Sequence, residues 1–207
     1  MTKDNLEMFR SVRACTLALV SDLTQAQMDY APALDKWSVG EVVDHLILGH
    51  RLNLSYITEL IQMKIAGDQP IRHLSFTDVD VSIGYLPKSM LPALEVPLKV
   101  MNMFLPSRAR DFLTRYRLVP AQSAEITNPR RGRSAAELRH DLIDSLKEME
   151  VLLESHHHLD YSEMIVEHPL LGNNNISGLL RFLALHEQRH QSQIEGIMTS
   201  PGFPGST

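Results

Sequence analysis

Two histidines spaced four residues apart, His186 and His190, are the first candidates for chemistry in the sequence. Successive residues of an α-helix are about 100° apart, so these side chains lie roughly 40° apart and one turn along the helix axis. Both imidazoles can then reach a single metal ion, as in helical His-x-x-x-His sites. Such pairs also occur by chance in structural helices, so the spacing alone indicates a candidate site and nothing more.

A third imidazole from another helix, His45, strengthens that hypothesis. Val42 lies one turn before His45 and Gly49 one turn after it, and these neighbours indicate that this face points inward. Gly49 would leave room for a bound molecule beside the imidazole, although glycine inside a helix costs about 1 kcal/mol relative to alanine. His50 lies five positions from His45 and points to a different side, which makes it a poor candidate for the same site.

The polar residues beside His186 and His190 can be explained by structural roles. Glu187 is turned by about 100° from the ligand face, which is typical of a solvated residue or an interhelical salt bridge. Arg189 is expected to form a structural ion pair, with contact to a ligand as the alternative. Gln193 lies one turn beyond His190, where it could line the pocket or bond to a ligand-binding group. No carboxylate or hydroxyl is placed as a general acid or base, so the catalytic residues stay unknown.

Two further residues are interpreted as structural. Cys15 is expected to be an inert packing residue on a mostly buried helix rather than a nucleophile. His168 is interpreted as a local anchor of the loop before the last helix, with the mouth of the pocket as its alternative setting.

A local excess of arginine lies between residues 108 and 139, in a chain whose formal net charge is −5. One interpretation is a solvated surface. The other is that some of these guanidinium groups hold the carboxylates of an acidic substrate or cosubstrate near the metal. The residues concerned are Arg108, Arg110, Arg115, Arg117, Arg130, Arg131, Arg133 and Arg139.

Four amphipathic helices account for most of the apolar pattern, over about residues 4–28, 38–66, 134–155 and 176–198. Two of them begin with capping boxes, Ser38 with Glu41 and Ser134 with Glu137, in which hydroxyl and carboxylate satisfy backbone N–H groups. Almost no segment shows the period-two alternation that is typical of strands. The sequence therefore predicts an all-α fold built on a four-helix bundle.

The segment between the second and third helices, residues 67–133, contains seven prolines and predicts an irregular crossover. A short helix near residues 107–117 is the exception expected there. A crossover of this length can return the chain to the same end of the bundle, which makes the second and third helices parallel. The expected topology is up-down-down-up, in a single domain of residues 1–207.

Composition and charge narrow the function classes. With 20 Lys+Arg against 25 Asp+Glu, the chain lacks the basic surface that phosphate contacts need, so nucleic acid is not expected as the primary partner. A single cysteine cannot form an internal disulfide, which fits a reducing compartment and makes the cytoplasm the expected location. No apolar run approaches the length of a membrane span and the N-terminal residues do not form a leader, so membrane association is not expected.

Two stretches of the sequence resemble the signature regions of the DinB-like superfamily, which includes YfiT-like metal-dependent hydrolases. The first is WSVGEVVDHL at residues 37–46, and the second comprises HPLLG at 168–172 and LLRFLALHEQRHQSQI at 179–194. The resemblance covers the helical framework and implies the bundle topology given above. It also implies a divalent metal held by three histidines, whose positions match His45, His186 and His190. Residues 72–130 carry no motif of that family, so no substrate contact can be transferred to them.

The resemblance implies an activity class rather than one reaction. Relatives include transferases and isomerases that use thiols such as bacillithiol, mycothiol or glutathione. A three-histidine site leaves room for a bound water or thiolate, so hydrolysis and thiol transfer suit it equally. Imidazole ligands accept nickel, zinc, iron or manganese, so the ligand type does not identify the metal.

The expected partner is a small-molecule substrate, and a homodimer is compatible with this type of bundle. The alternative function is a bundle that binds metal or a small ligand without catalysis, as a stress-related interaction protein. A purely structural bundle would place three imidazoles in an apolar seam, where each unsatisfied nitrogen costs roughly 1–3 kcal/mol.

Overall fold

The computed structural model describes residues 2–79, 82–83, 121–122, 127–169 and 171–205, with single positions at 90, 93, 97, 111 and 115. The elements follow the order α1 (Thr2–Val20), α2 (Gln25–Asp29), α3 (Val39–Ala66), β1 (Ile71–His73), α4 (Phe76–Val79), β2 (Ser82–Ile83), β3 (Ala121–Gln122), α5 (Ala135–Ser155), β4 (Ile165–His168), β5 (Gly172–Asn175) and α6 (Ile176–Met198). The fold is mostly helical. Within the described part of the chain, no helix is both long and apolar enough to cross a lipid bilayer.

Local capping signals mark where two of the long helices begin. The hydroxyl of Ser38 accepts the backbone N–H of Glu41, and the Glu41 carboxylate accepts the N–H of Ser38, which starts α3. Ser134 and Glu137 form the same arrangement before α5. Both boxes were predicted from the sequence, because all their contacts lie within four consecutive residues.

The single helix predicted over residues 4–28 is wrong, because the chain forms α1 and then α2 there. Thr24 and Gln27 make a third capping box, which starts the new helix. The carbonyl oxygens of Val20 and Leu23, at and just beyond the end of α1, accept hydrogen bonds from the guanidinium group of Arg139. The Thr-x-x-Gln signal was available in the sequence, whereas the arginine that satisfies the freed carbonyls comes from α5.

Contacts between helices define their directions. α1 and α6 run parallel, and so do α3 and α5, because the contacts follow the same order along both partners. These contacts are Asn5–Ser177 and Arg13–Glu187 for the first pair, and Gly40–Leu138 and Arg51–Asp141 for the second. α1 and α5 run antiparallel, with contacts Arg13–Leu142 and Arg10–Glu150. This is the up-down-down-up four-helix bundle that the sequence predicted.

A small three-stranded sheet lies at the end of the bundle where α3 ends and α6 begins. β1 pairs in parallel with β4, and β4 pairs antiparallel with β5. β2 and β3 form a separate antiparallel pair. The sequence did not predict these strands, because two to four residues are too few to display an alternating pattern. Most of the predicted crossover, including all but two positions of the helix expected near residues 107–117, lies outside the described residues.

Two apolar cores lie at opposite ends of the bundle. The core near the sheet includes Phe9, Leu60, Met149 and Leu180, and the other includes Val20, Val43, Leu138 and Ile194. Between them every long helix contributes buried polar groups, which together with the partly buried His186 we call the polar layer. Its buried members are Arg13, Thr16, His45, His50, Ser145, Glu187 and His190. Because buried polar groups are costly unless they find partners, the contacts made within this layer show which members are structural.

Candidate metal centre

Three histidine side chains from two helices meet in the polar layer. His45 lies near the start of α3, and His186 and His190 lie one turn apart in α6. One nitrogen from each imidazole falls within 4.8 Å of the other two, and the Nε2 atoms of His186 and His190 are 3.2 Å apart. The fold therefore brings together the three residues that the sequence singled out.

The spacing of the three nitrogens suits metal coordination. Two nitrogens bound to one ion at about 2.1 Å, with an angle of roughly 90–110° between them, lie about 3.0–3.4 Å apart. The separation of 3.2 Å between His186 and His190 falls in this range. Imidazole is a ligand that nickel, zinc, iron and manganese all accept. The cluster is thus a group able to hold a divalent metal ion.

Hydrogen bonds on the outer side fix two of the three rings. The Nδ1 atom of His45 lies 2.8 Å from the carbonyl oxygen of Thr127, and a carbonyl only accepts, so Nδ1 carries the proton. The Nδ1 atom of His190 donates in the same way to the side-chain oxygen of Gln193 at 2.9 Å. Nε2 keeps its lone pair in both rings. Hydrogen bonds of this kind set the tautomer and orientation of metal-binding histidines.

Burial keeps two of the imidazoles neutral. Desolvation lowers the pKa of His186 well below 6.5, and electrostatic interactions with His190, Arg189 and His45 act in the same direction. Desolvation also lowers the pKa of His45, opposed by the hydrogen bond to Thr127 and reinforced by Arg189. Neutral imidazole is the form that binds a metal ion. These two rings are therefore in their ligand form at neutral pH.

Arg189 contacts the cluster directly. Its guanidinium group donates to Nε2 of His190 at 3.0 Å. Because a guanidinium cannot accept a hydrogen bond, this contact agrees with a proton on Nδ1 of His190. The sequence favoured a structural ion pair for Arg189, with contact to a ligand as the alternative. In the structure its positive charge lies against an imidazole nitrogen of the cluster.

Aromatic rings pack against the cluster. The ring of Trp37 lies 4.9 Å from that of His45 and stacks on His190 at 6.5 Å between centroids. Phe182 stacks on His186 at 5.6 Å. The rings limit rotation of the imidazoles and shield them from water. Sequence reasoning assigned no role to Trp37 or Phe182, although Trp37 directly precedes the N-cap of α3 and Phe182 lies one turn before His186.

Asp44, the residue before His45, is fully buried. Burial by itself raises the pKa of a carboxyl group, but the backbone N–H of Arg130 and the guanidinium groups of Arg133 and Arg130 donate to Asp44 and bring its pKa below 3.8. The two closest donors are the Arg130 backbone N–H at 2.8 Å and Nη1 of Arg133 at 2.7 Å. Asp44 is therefore a buried charged group that is stabilised by hydrogen bonds from Arg130 and Arg133.

Several arginines of the excess between residues 108 and 139 contact groups of the protein. Arg130 and Arg133 bind Asp44, Arg131 binds Glu41, and Arg139 binds the end of α1. A solvated surface describes Arg130 and Arg131, which stay largely exposed, but not Arg133, which is largely buried between two carboxylates. Arg108, Arg110 and Arg117 lie outside the described residues, so cosubstrate binding by them stays a prediction.

Glu187 is buried, and its interpretation as a solvated residue is wrong. Its carboxylate accepts two bonds from the guanidinium group of Arg13, at 2.8 and 2.9 Å, and one from the hydroxyl of Thr16 at 2.6 Å. Arg13 also donates to the carbonyl of Leu142 and the hydroxyl of Ser145 in α5. The alternative interpretation as an interhelical salt bridge is the one that the structure supports.

The other residues that were considered from the sequence lie outside the histidine cluster. His50 is buried against Phe9, with 5.2 Å between ring centroids, and its nitrogens have no hydrogen-bond partner among the described residues. His168 accepts a hydrogen bond from the backbone N–H of Leu171 within the loop at the sheet end, which agrees with a local anchor.

Cys15 is exposed, so the prediction that it is buried is wrong. The buried face of α1 is turned away from that position.

The fold and the histidine cluster define a class of helical bundle proteins, and comparison with known proteins identifies the family. The chain belongs to the DinB superfamily, whose family model matches residues 8–194. YfiT from Bacillus subtilis has a similar structure, with a TM-score of 0.52 and 14% sequence identity over 95% of this chain and 85% of that chain. YfiT is described as a probable metal-dependent hydrolase with an unusual four-helix bundle topology. A comparison with curated proteins finds no significant match.

Proposed function

We propose that this protein is a divalent-metal-dependent enzyme in which His45, His186 and His190 hold the metal ion. The observation that best supports this is the convergence of three imidazoles, two of which already use Nδ1 in outer hydrogen bonds. Three protein ligands leave at least one coordination position open, which is the arrangement of catalytic rather than structural sites. A divalent metal bound there supplies Lewis-acid chemistry and lowers the pKa of a water or thiol ligand.

The protein's own side chains supply the other conditions for such chemistry. Thr127 and Gln193 hold two imidazoles in the tautomer that exposes Nε2. Trp37 and Phe182 exclude water from part of the surroundings of the cluster. Arg189 holds a permanent positive charge next to Nε2 of His190, where it would attract a thiolate, hydroxide or carboxylate.

The substrate we propose is a small molecule, and the reaction is hydrolysis or transfer of a low-molecular-weight thiol. Water and thiol need the same activation and would use the same open position, so the donor set favours neither reaction. The description of YfiT supports hydrolysis. The candidate metals are nickel, zinc, iron and manganese, since each accepts imidazole ligands.

Elemental analysis of protein purified without a chelating column tests the metal site. The native chain should contain about one divalent metal ion, as expected for one catalytic site. His45→Ala, His186→Ala and His190→Ala should each lose it. The matched control is His140→Ala, which removes an exposed histidine paired with Asp144. Metal retained in all three cluster variants would show that the ligand assignment is wrong.

A turnover screen then separates an enzyme from a metal-binding protein. Metal-loaded protein is offered ester and amide substrates, and separately low-molecular-weight thiols with electrophiles. Turnover that His190→Ala abolishes and His140→Ala preserves would support the enzyme and identify the reaction type. Stoichiometric metal without turnover in either arm would favour the non-catalytic binding protein.

A further inference from the structure

The hydrogen bond that orients His45 comes from a distant part of the chain. Its acceptor, the carbonyl oxygen of Thr127, lies 82 residues away in the sequence, at 2.8 Å from Nδ1. Thr127 begins the segment of residues 127–133, which leads into the N-cap of α5 and which we call the strap. His190 differs, because its acceptor Gln193 lies three residues away on the same helix. The orientation of His45 therefore depends on how the strap is held.

Asp44 holds the strap at two points. Its carboxylate accepts the backbone N–H of Arg130 at 2.8 Å, three residues beyond Thr127. It also accepts Nη1 of Arg133 at 2.7 Å, at the far end of the strap. The Asp44 side chain is completely buried, so water does not compete for these bonds.

Glu41 adds a third connection from one turn earlier in α3. Its carboxylate caps the helix and also accepts a bond from Nε of Arg131 at 2.8 Å. Gly132 follows with a φ of 72°, the left-handed conformation that lets the strap turn between its contacts. Glu41, Asp44 and His45 lie at helical spacings of three and four, so one face of α3 carries both the ligand and the groups that fix its acceptor.

We propose that Asp44 is a positioning residue of the metal centre. By binding the Arg130 backbone and the Arg133 side chain, it holds the Thr127 carbonyl against Nδ1 of His45 and thereby sets the direction of Nε2. The inference rests on the proposed function, in which His45 is a metal ligand. Groups that orient a metal-binding histidine typically change metal affinity by about 10–100-fold when they are removed.

The test compares three variants with the native chain, using cobalt(II) as the probe. Asp44→Ala removes both connections of the carboxylate. Asp44→Asn keeps an oxygen acceptor of the same size, so it reports on positioning even where Asp44→Ala does not fold. The matched control, Asp141→Asn, removes the other carboxylate that binds Arg133, at 2.9 Å, and leaves Asp44 bound to the Arg130 backbone. The readouts are the dissociation constant for cobalt(II), its visible spectrum, and the unfolding temperature of the metal-free protein.

Asp44→Ala should weaken cobalt(II) binding by about 10–100-fold and change the visible spectrum, because the spectrum reports ligand geometry. Asp44→Asn should show a smaller loss in the same direction, and Asp141→Asn should retain the affinity and spectrum of the native chain. A merely structural role for Asp44 would lower the unfolding temperature and leave the spectrum of the folded, loaded protein unchanged. That result would overturn the proposal, as would equal losses in Asp141→Asn. A native chain that does not bind cobalt(II) would instead overturn the proposed function on which this inference rests.

Discussion

Glu187 and His186 are neighbours in the sequence, yet they belong to two contrasting halves of the polar layer. On one side, Glu187 and Arg13 form a closed ion pair whose remaining hydrogen-bonding groups reach Thr16 and α5. On the other side, His45 and His190 use Nδ1 in outer hydrogen bonds, and the Nε2 atoms of His186 and His190 face each other at 3.2 Å beside the guanidinium group of Arg189. A closed buried network is structural, whereas converging nitrogens of this kind need a proton or a cation between them.

Burial by itself does not reveal function in this layer. Glu187 and His190 are 1% and 4% exposed, so accessibility does not separate them. Their partners separate them, because the Glu187 carboxylate is paired with the opposite charge of Arg13, whereas the three imidazoles bring together nitrogens that could hold a metal ion. Four experiments test this difference between the two halves of the polar layer.

The largest effect is expected from Glu187→Ala, which leaves the Arg13 guanidinium buried without its carboxylate. Removing one partner of a buried ion pair typically costs roughly 3–5 kcal/mol, and urea unfolding of the metal-free protein measures it. The double variant Arg13→Met with Glu187→Leu removes both charges and should recover most of that loss. A loss below about 1 kcal/mol, as for a surface pair, would mean that the Arg13–Glu187 half of the layer is not a closed structural unit.

A bound metal ion should stabilise the folded protein through the half of the polar layer that contains the three histidines. A ligand present at a hundred times its dissociation constant stabilises a folded protein by about 2.7 kcal/mol. Adding the copurifying metal to metal-free protein should therefore raise the unfolding temperature of the native chain and of His140→Ala. The same addition should have no effect on His190→Ala. Equal stabilisation of His190→Ala would place the metal elsewhere and remove the contrast between the two halves.

Acid should destabilise the metal-free protein through imidazoles that are buried in the neutral form. Burial, reinforced by the charges of Arg13 and Arg51, lowers the pKa of His50 from 6.5 to about 3. The unfolded chain therefore binds more protons than the folded one between these values, and stability decreases as the pH falls below 6.5. For His50 the loss from pH 7 to pH 5 is about 2 kcal/mol.

Urea unfolding at a series of pH values checks this prediction. His50→Leu should reduce the slope of stability against pH, while the exposed His140→Ala should leave it unchanged. A slope in His50→Leu equal to that of the native chain would show that His50 is charged or exposed in the folded protein.

The smallest effect is expected from Arg189→Gln. This change removes a permanent positive charge and the donor that competes for Nε2 of His190, so metal affinity should increase by about 1 kcal/mol, or roughly fivefold. The matched control is Arg181→Gln on the same helix, where the arginine is exposed and paired with Asp111. Competition with a chelator measures the metal affinity of both variants. Weaker metal binding in Arg189→Gln would mean that the guanidinium group favours metal binding instead of opposing it.

Short-range signals made much of the framework predictable. The capping boxes at Ser38 and Ser134 act within four residues, and the apolar periodicity of α3, α5 and α6 repeats every turn, so both can be read without knowing the fold. The same periodicity places His186 and His190 on one face of α6. His45 could be added because it also lies on an inward face, and the family resemblance pointed to the same three residues.

Other features depended on residues far apart in the chain. The break after α1 is completed by Arg139, and the buried position of Glu187 requires Arg13, 174 residues away. Helix periodicity predicts which way a side chain points, but not whether an opposite charge meets it. The exposure of Cys15 was missed because the whole first helix was expected to be mostly buried, whereas α1 buries only the face that carries Phe9, Arg13 and Thr16.

The sequence alone predicted helices α3, α5 and α6, the bundle class and the three candidate ligands, because these follow from local backbone geometry and side-chain chemistry. The partners of the histidine nitrogens and of the carboxylates, in contrast, depend on the tertiary structure. The carbonyl that orients His45 lies 82 residues from it in the chain, and the backbone N–H of the strap that Asp44 binds lies 86 residues from Asp44. Such contacts form only when the packed helices bring distant groups within hydrogen-bonding distance, and no local pattern encodes them.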